Sequence, residues 1–189
     1  IMEKRDSSRP PGLITITGNI IGSQETNIHL SGCYGITLTG NLIYSCSHRN
    51  LLIEDSRLIV IGSNNFRRHT KRAGMGVRLI DSRDCTISGC SFHDESLEGQ
   101  ENGASLLELK NCQRIAVNGC NFSDGVPYGI DALDCDDVLV TGCTIADTRE
   151  TSKAAASIRF KGQGSGNLIA SCSLRGNVSA EATAGLSQK

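Results

Sequence analysis

One eight-residue string recurs along this chain and constrains its fold more than any other feature. In its clearest forms it reads Ile14-Thr15-Ile16-Thr17-Gly18-Asn19-Ile20-Ile21 and Ile36-Thr37-Leu38-Thr39-Gly40-Asn41-Leu42-Ile43. Further copies fill residues 59–66, 85–92, 115–122, 138–145 and 167–174, giving seven in all. The corner position holds Gly18, Gly40, Ser63, Gly89, Gly119, Gly142 and Ser171, at spacings of 22, 23, 26, 30, 23 and 29 residues. Self-similarity at a period of about 20–50 residues marks a repeat architecture. Between copies lies a second alternating run: Ile28-His29-Leu30, Leu51-Leu52-Ile53, Val77-Arg78-Leu79, Leu107-Glu108-Leu109, Ile130-Asp131-Ala132 and Ile158-Arg159-Phe160. Period-two alternation in runs this short predicts strands. Each repeat therefore holds three strands, with length variation confined to the segment after the aromatic or aliphatic end of the string.

The apolar residues fall into columns. One reads Ile16, Leu38, Ile61, Ile87, Val117, Val140, Ile169, and another Ile28, Leu51, Val77, Leu107, Ile130, Ile158. The residue after the corner is Asn19, Asn41 and Asn64, then Cys90, Cys120, Cys143 and Cys172. The first three predict a ladder of stacked amides, and the last four replace it with small thiols. On these columns, over residues 14–174, the sequence resembles the parallel β-helix repeats of the pectate-lyase-like superfamily. The fold expected is an all-β, single-stranded right-handed parallel β-helix of about seven coils with three short strands each. Residues 1–13, with Arg9-Pro10-Pro11-Gly12, are expected as an extended lead-in, 14–178 as the solenoid and 179–189 as a flexible tail.

Composition fits a narrow interior. Trp is absent, aromatics are 4% and glycines number 21. The net charge of −1 gives no global field toward nucleic acid, so no nucleic-acid partner is expected. No apolar run is long enough to span a bilayer, so no membrane partner is expected. Seven of the nine cysteines lie in repeat columns, Cys33, Cys112 and Cys135 in one and Cys90, Cys120, Cys143 and Cys172 in the other. Ser56 and Ser82 fill the first column where Cys is missing. The position asks for a small side chain, and parallel Cβ vectors suit a disulfide poorly. Buried free thiols are expected. No helix pattern caps either end, which reads as a segment of a longer solenoid and predicts end-to-end self-association through open strand edges.

Three variable loops are predicted to overhang the outer surface of the second run: the basic Arg67-Arg68-His69-Thr70-Lys71-Arg72, the acidic residues 94–102 and the Ala-rich residues 147–157. Beneath them, outward positions form a charged wall. One row reads His29, Leu52, Arg78, Glu108, Asp131, Arg159 and the next Ser31, Glu54, Ile80, Lys110, Leu133, Lys161. Glu108 and Asp131 fall on adjacent coils, about 5 Å apart. Carboxylates that close repel, and one then holds a proton, as a general acid beside a base would. The plainer reading is an ion ladder with Arg78 and Arg159, each pair contributing about 0.2–1 kcal/mol.

The resemblance implies that polysaccharide lies along this wall. Lyases of the fold use a calcium-bound uronate and an Arg or Lys base, and polygalacturonases use a set of Asp residues. The run Gly129-Ile130-Asp131-Ala132-Leu133-Asp134-Cys135 resembles the polygalacturonase stretch Asn-Thr-Asp-Gly-Ile-Asp, and Ile158-Arg159-Phe160-Lys161 resembles its Arg-Ile-Lys clamp. Val126-Pro127-Tyr128 replaces Asn-Thr-Asp, and no Asp pair stands near Lys153 to Ala156, which argues against that hydrolysis. The expected function is a carbohydrate-active domain that binds an extended acidic polysaccharide, as a lyase, epimerase or hydrolase if catalytic. Glu108, Asp131 and Arg159 are the catalytic candidates. His29, Glu54, Arg78, Lys110, Lys161 and Tyr128 are the substrate-binding ones. The alternative is a non-catalytic structural or adhesive segment. Such a partner implies a secreted, periplasmic or cell-surface protein. No cofactor is expected. Calcium at Asp131, Asp134, Asp136 and Asp137 is the one metal reading, set against the ordinary use of Asp in turns. His69 and His93 lack zinc-ligand spacing.

Overall fold

The computed structural model describes residues 11–68, 76–95 and 104–188. The three-strand repeat forms one turn of a coil. The first turn is β1 (Gly12–Thr17), β2 (Ile20–Gly22) and β3 (Thr26–Ser31), and the second β4 (Tyr34–Thr39), β5 (Leu42–Tyr44) and β6 (Arg49–Glu54). The third is β7 (Val60–Gly62), β8 (Asn65–Arg68) and β9 (Val77–Ile80), and the fourth β10 (Arg83–Ser88), β11 (Ser91–Asp94) and β12 (Leu107–Lys110). The fifth is β13 (Gln113–Asn118), β14 (Asn121–Ser123) and β15 (Tyr128–Leu133), and the sixth β16 (Asp136–Thr141), β17 (Thr144–Ala146) and β18 (Ala156–Lys161). The seventh is β19 (Asn167–Ala170), β20 (Ser173–Arg175) and β21 (Val178–Ala180), and β22 (Leu186–Gln188) begins an eighth. Every strand pairs with the strand one turn away, in parallel. The result is a first sheet of eight strands from β1 to β22, a second of seven from β2 to β20 and a third of seven from β3 to β21.

The corners explain the glycines. All seven residues of the first corner have positive φ, from 51° at Ser63 to 68° at Gly18. That region costs a side-chain-bearing residue energy and costs Gly little. The corner between the third and first sheets is also left-handed, and there it is filled by Asp55, Asp81, Asn111 and Asp134 as well as glycine. Asp and Asn tolerate this conformation better than other residues because their short polar groups bond locally. Asp134 accepts the Gln163 amide at 2.9 Å, and Asp136 accepts the Ser165 hydroxyl at 2.8 Å. Both carboxylates thus tie a corner to the next coil.

The interior row behind the first corner changes its chemistry without changing its acceptors. Asn41 and Asn64 donate their side-chain amides to the carbonyls of Ile16 and Leu38, one coil back, at 2.9 Å each. The thiols of Cys90, Cys120, Cys143 and Cys172 donate to the matching carbonyls of Ile61, Ile87, Val117 and Val140, at 3.5–3.7 Å. They are weak donors in the same register, not merely small apolar fillers. All nine cysteines are free, and eight are buried. Burial pushes the Cys46 and Cys85 thiols up to about 11, so little nucleophilic thiolate forms there at neutral pH. We therefore expect thiol titration without reductant to find nine groups after denaturation, and few that react quickly before it. Recovering a disulfide from the denatured chain would overturn this row.

Two boundaries differ from expectation. β1 begins at Gly12, inside the stretch read as a lead-in. Residues 179–188, expected as a flexible tail, carry the end of β21, a 3-10 turn (Ala182–Ala184) and β22 instead. β21 pairs with β18 and β22 with β19, so backbone hydrogen bonds to the preceding turn hold a stretch whose composition looks loose. Inside the second sheet Phe66, Phe92 and Phe122 stack, with ring centroids 4.9 and 4.4 Å apart. In the third, Ala132 sits beside Phe160, a small residue leaving room for a large one.

Candidate functional site

The third sheet delivers the predicted wall in register. Arg78, Glu108, Asp131 and Arg159 are successive partners across β9, β12, β15 and β18. Their side chains do not meet as a carboxylate pair. Asp131 accepts Nε and an Nη of Arg159 at 2.7 Å each, a bidentate fork. Glu108 accepts Arg49 at 2.8 Å, lies 3.4 Å from the Arg78 Nε and accepts the Ser105 amide at 3.2 Å. Each carboxylate is thus held by guanidinium groups from other coils, which is the arrangement of the ion ladder. His29 and Glu54 form a third pair at 2.8 Å.

Tyr128 completes the site from the start of β15. The Arg159 guanidinium lies over its ring at 4.3 Å, and Arg159 also donates to the Tyr128 hydroxyl at 3.2 Å. One ring face is therefore taken by Arg159. Lys110 and Lys161 are exposed, and no carboxylate among the described residues pairs with either. With Arg49, Arg78 and Arg159 they make five cations, set among the carboxylates Glu54, Glu108 and Asp131 and, one turn on from Lys161, Glu181. Arg49 was not legible from the repeat. It stands at the first position of β6, where alternation points inward, and it reaches a residue 59 positions on.

The loops above the wall differ in kind. Residues 69–75 and 96–103 lie outside the described ones, and with them His69, Lys71, Arg72, Glu98 and Glu101. Arg67 and Arg68 are not part of a free basic loop. They belong to β8 and pair with Glu95 and Asp94. The segment 147–155 is folded around Asp147, whose side chain is 1% exposed. Its carboxylate accepts Arg149 Nε at 2.7 Å, the Ser152 hydroxyl at 3.0 Å and the Lys153 and Ala154 amides at 2.7 and 3.0 Å. Burial works to raise its pKa, but the Arg149 guanidinium and the amide donors outweigh that and hold it well below the usual carboxylate range. The Ala155 amide then bonds Pro127 at 2.9 Å and fixes this loop beside Tyr128.

The residues read as a calcium set, Asp131, Asp134, Asp136 and Asp137, form no cluster of three ligating groups among the described residues. Asp131 and Glu108 are occupied by guanidinium donors and Asp134 and Asp136 by corner hydrogen bonds. A hard cation asks for a cage of several oxygens with free lone pairs.

Solved structures share this architecture at low identity. A candidate glycosyl hydrolase from Parabacteroides merdae matches with a TM-score of 0.58 at 13% identity, over 94% of this chain and 84% of that one. The A-module of the mannuronan C-5 epimerase AlgE6 from Azotobacter vinelandii has a TM-score of 0.46 at 13% identity, over 93% of this chain and 58% of that one. No curated protein matches the chain. The profile of the family described as "Right handed beta helix region" matches residues 64–187, about two thirds of the sequence. The chain belongs to the right-handed β-helix family.

Proposed function

We propose that the outer face of the third sheet holds an extended acidic polysaccharide by its carboxylate groups. The observation that carries this reading is the set of cations there: Arg159, held in place on β18, and the exposed Lys110 and Lys161, which pair with no carboxylate among the described residues. Coils rise about 4.8 Å each, so Lys110 and Lys161, with Leu133 on the rung between them, stand two rungs apart along the rod. Arg159 is fixed by Asp131 on one side and the Tyr128 ring on the other, and a prepositioned guanidinium loses little freedom on meeting a ligand carboxylate. Glu108 and Asp131 act here as anchors for arginines, so the reading is of a binding face. The Parabacteroides merdae structure supports the fold, and the ligand class rests on the wall. The same ion pairs favour a second reading, a structural ladder with no ligand.

Titration calorimetry with polygalacturonate and alginate tests this. Arg159→Ala is expected to weaken binding about tenfold or more, since a charged hydrogen-bonded contact is worth about 1.5–3 kcal/mol. Arg159→Lys should recover part of it, and Lys110→Ala and Lys161→Ala should cost less each. Binding should weaken as salt rises, because exposed charges are screened beyond about 8 Å at physiological ionic strength. It should be the same with calcium and with chelator. No heat of binding to either polymer would leave the structural ladder standing.

A further inference from the structure

Two arginines face each other across a rung at the corner where the third sheet passes into the first. Tyr34, Arg57 and Arg83 are successive bridge partners there, one coil apart. Backbone bonds hold the rung: the Arg57 amide donates to Cys33 and the Arg83 amide to Ser56, at 3.0 Å each. The two side chains therefore start about 4.8 Å apart, the spacing of neighbouring strands. Like charges on facing positions destabilise a sheet. On the wall each arginine meets a carboxylate, Arg49 and Arg78 at Glu108 and Arg159 at Asp131. At this corner the carboxylate is drawn away. Asp84 lies 3.7 Å from the Arg83 Nε, but its two oxygens accept Arg114 at 2.6 and 3.2 Å. Arg57 pairs with no carboxylate among the described residues, and its guanidinium rests over the Tyr34 ring, 5.8 Å from the centroid. Asp84 registers the cations around it: Arg114 foremost, with Arg83 and Arg57 adding, holds its carboxyl below the usual range.

Both arginines line a hollow of about 180 Å³, together with Tyr34, Asp55 and Ser56. The Ser56 hydroxyl is already engaged, donating to the Glu54 carbonyl at 2.7 Å and accepting the Cys33 amide at 3.0 Å. We propose that this hollow binds a phosphate group between Arg57 and Arg83, as the free ion or as a phosphomonoester. A phosphate group carries about 1.5–2 negative charges at neutral pH and three acceptor oxygens, so it answers two guanidinium groups at once. A carboxylate brings one charge. Guanidinium and phosphate also match as a bidentate fork. The Tyr34 ring holds the Arg57 side chain in place, which lowers the freedom lost on binding. Binding removes the repulsion across the rung, so it stabilises the coil too. Asp55 opposes an anion, and removing its charge tightens the site. Asparagine suits its left-handed backbone, as Asn111 shows in the same corner two coils on.

Titration calorimetry of the 189-residue chain with inorganic phosphate and with glucose 6-phosphate, at fixed ionic strength in chloride, tests the site. The parent is expected to bind one equivalent with a Kd of about 1 mM or below. Acetate should bind about tenfold more weakly, and Arg57→Gln and Arg83→Gln should each weaken phosphate about tenfold or more. Asp55→Asn should tighten it. Arg159→Ala and Arg175→Gln should leave it unchanged, which separates this corner from the wall and from a general attraction to arginine. Phosphate should raise the melting temperature of the parent and not that of either glutamine variant, while both variants still melt cooperatively. Glucose 6-phosphate binding at least as tightly as inorganic phosphate assigns the site to a phosphomonoester, and inorganic phosphate binding alone assigns it to the free ion. No saturable heat from either, or binding that both glutamine variants retain, would overturn the proposal.

Discussion

Phe92→Ala is expected to lower the free energy of unfolding by about 3–5 kcal/mol, the usual cost of truncating a buried phenylalanine. Its ring is wholly buried, between Phe66 at 4.9 Å and Phe122 at 4.4 Å. Cavities cost most where their walls cannot move in. Here the walls are rings one coil above and one below, each tied to a backbone whose spacing is set by parallel hydrogen bonds. Phe66 and Phe122 therefore cannot close the gap without breaking rungs. Phe92→Leu keeps most of the volume and should cost less than half as much. Urea denaturation of both variants measures the difference. A loss below about 1 kcal/mol for the alanine variant would mean that the stack is not part of the stabilising core.

The second large effect concerns a pair the repeat conceals. Arg68 and Asp94 lie at the inward end of the second sheet, 3.5 Å apart, with each side chain 2% exposed. Removing either partner takes the opposite charge of this pair away from a buried ion, a loss that typically costs about 3–5 kcal/mol. Arg68→Ala and Asp94→Ala should each show a loss of that size in the same denaturation experiment. Replacing both at once is the more telling case. Arg68→Met with Asp94→Leu removes both desolvation penalties and fills similar volume, and is expected to fall within about 1 kcal/mol of the parent or above it. A double variant as weak as the singles summed would show that the pair contributes net stability.

Much of the fold could be read from residue identities because its constraints are local and repeated. A left-handed corner demands Gly, Ser, Asn or Asp, and the inward parity of each strand demands an apolar residue. Both signals return on every coil. The registers Glu108 to Asp131 and Asp131 to Arg159 follow from alignment alone. What alignment could not supply is side-chain direction at the ends of strands. Asp94 is two residues past Phe92 and Arg68 two past Phe66, so parity places both inside. Their charge argued for a solvated loop, and the pairing of two charges overrode that preference. Arg49 and the packing of Arg159 on Tyr128 depend on the reach of long side chains over loops of unequal length. Residues 179–188 hid their strands because composition describes a segment in isolation, whereas the hydrogen bonds that order it come from the turn before.

The coil also sets how the molecule carries force. Strands lie across the rod, so the backbone hydrogen bonds of all three sheets point along its axis. Tension between the two ends loads these bonds rung after rung in series, and only one rung has to give at a time. Such a rod peels. Each coil released leaves its neighbour as the new end, held by the same three short strands. A pull across the rod meets a different body, because it must slide strands past one another and break a whole ladder together. The solenoid is therefore soft to extension along its length and stiff to shear across it.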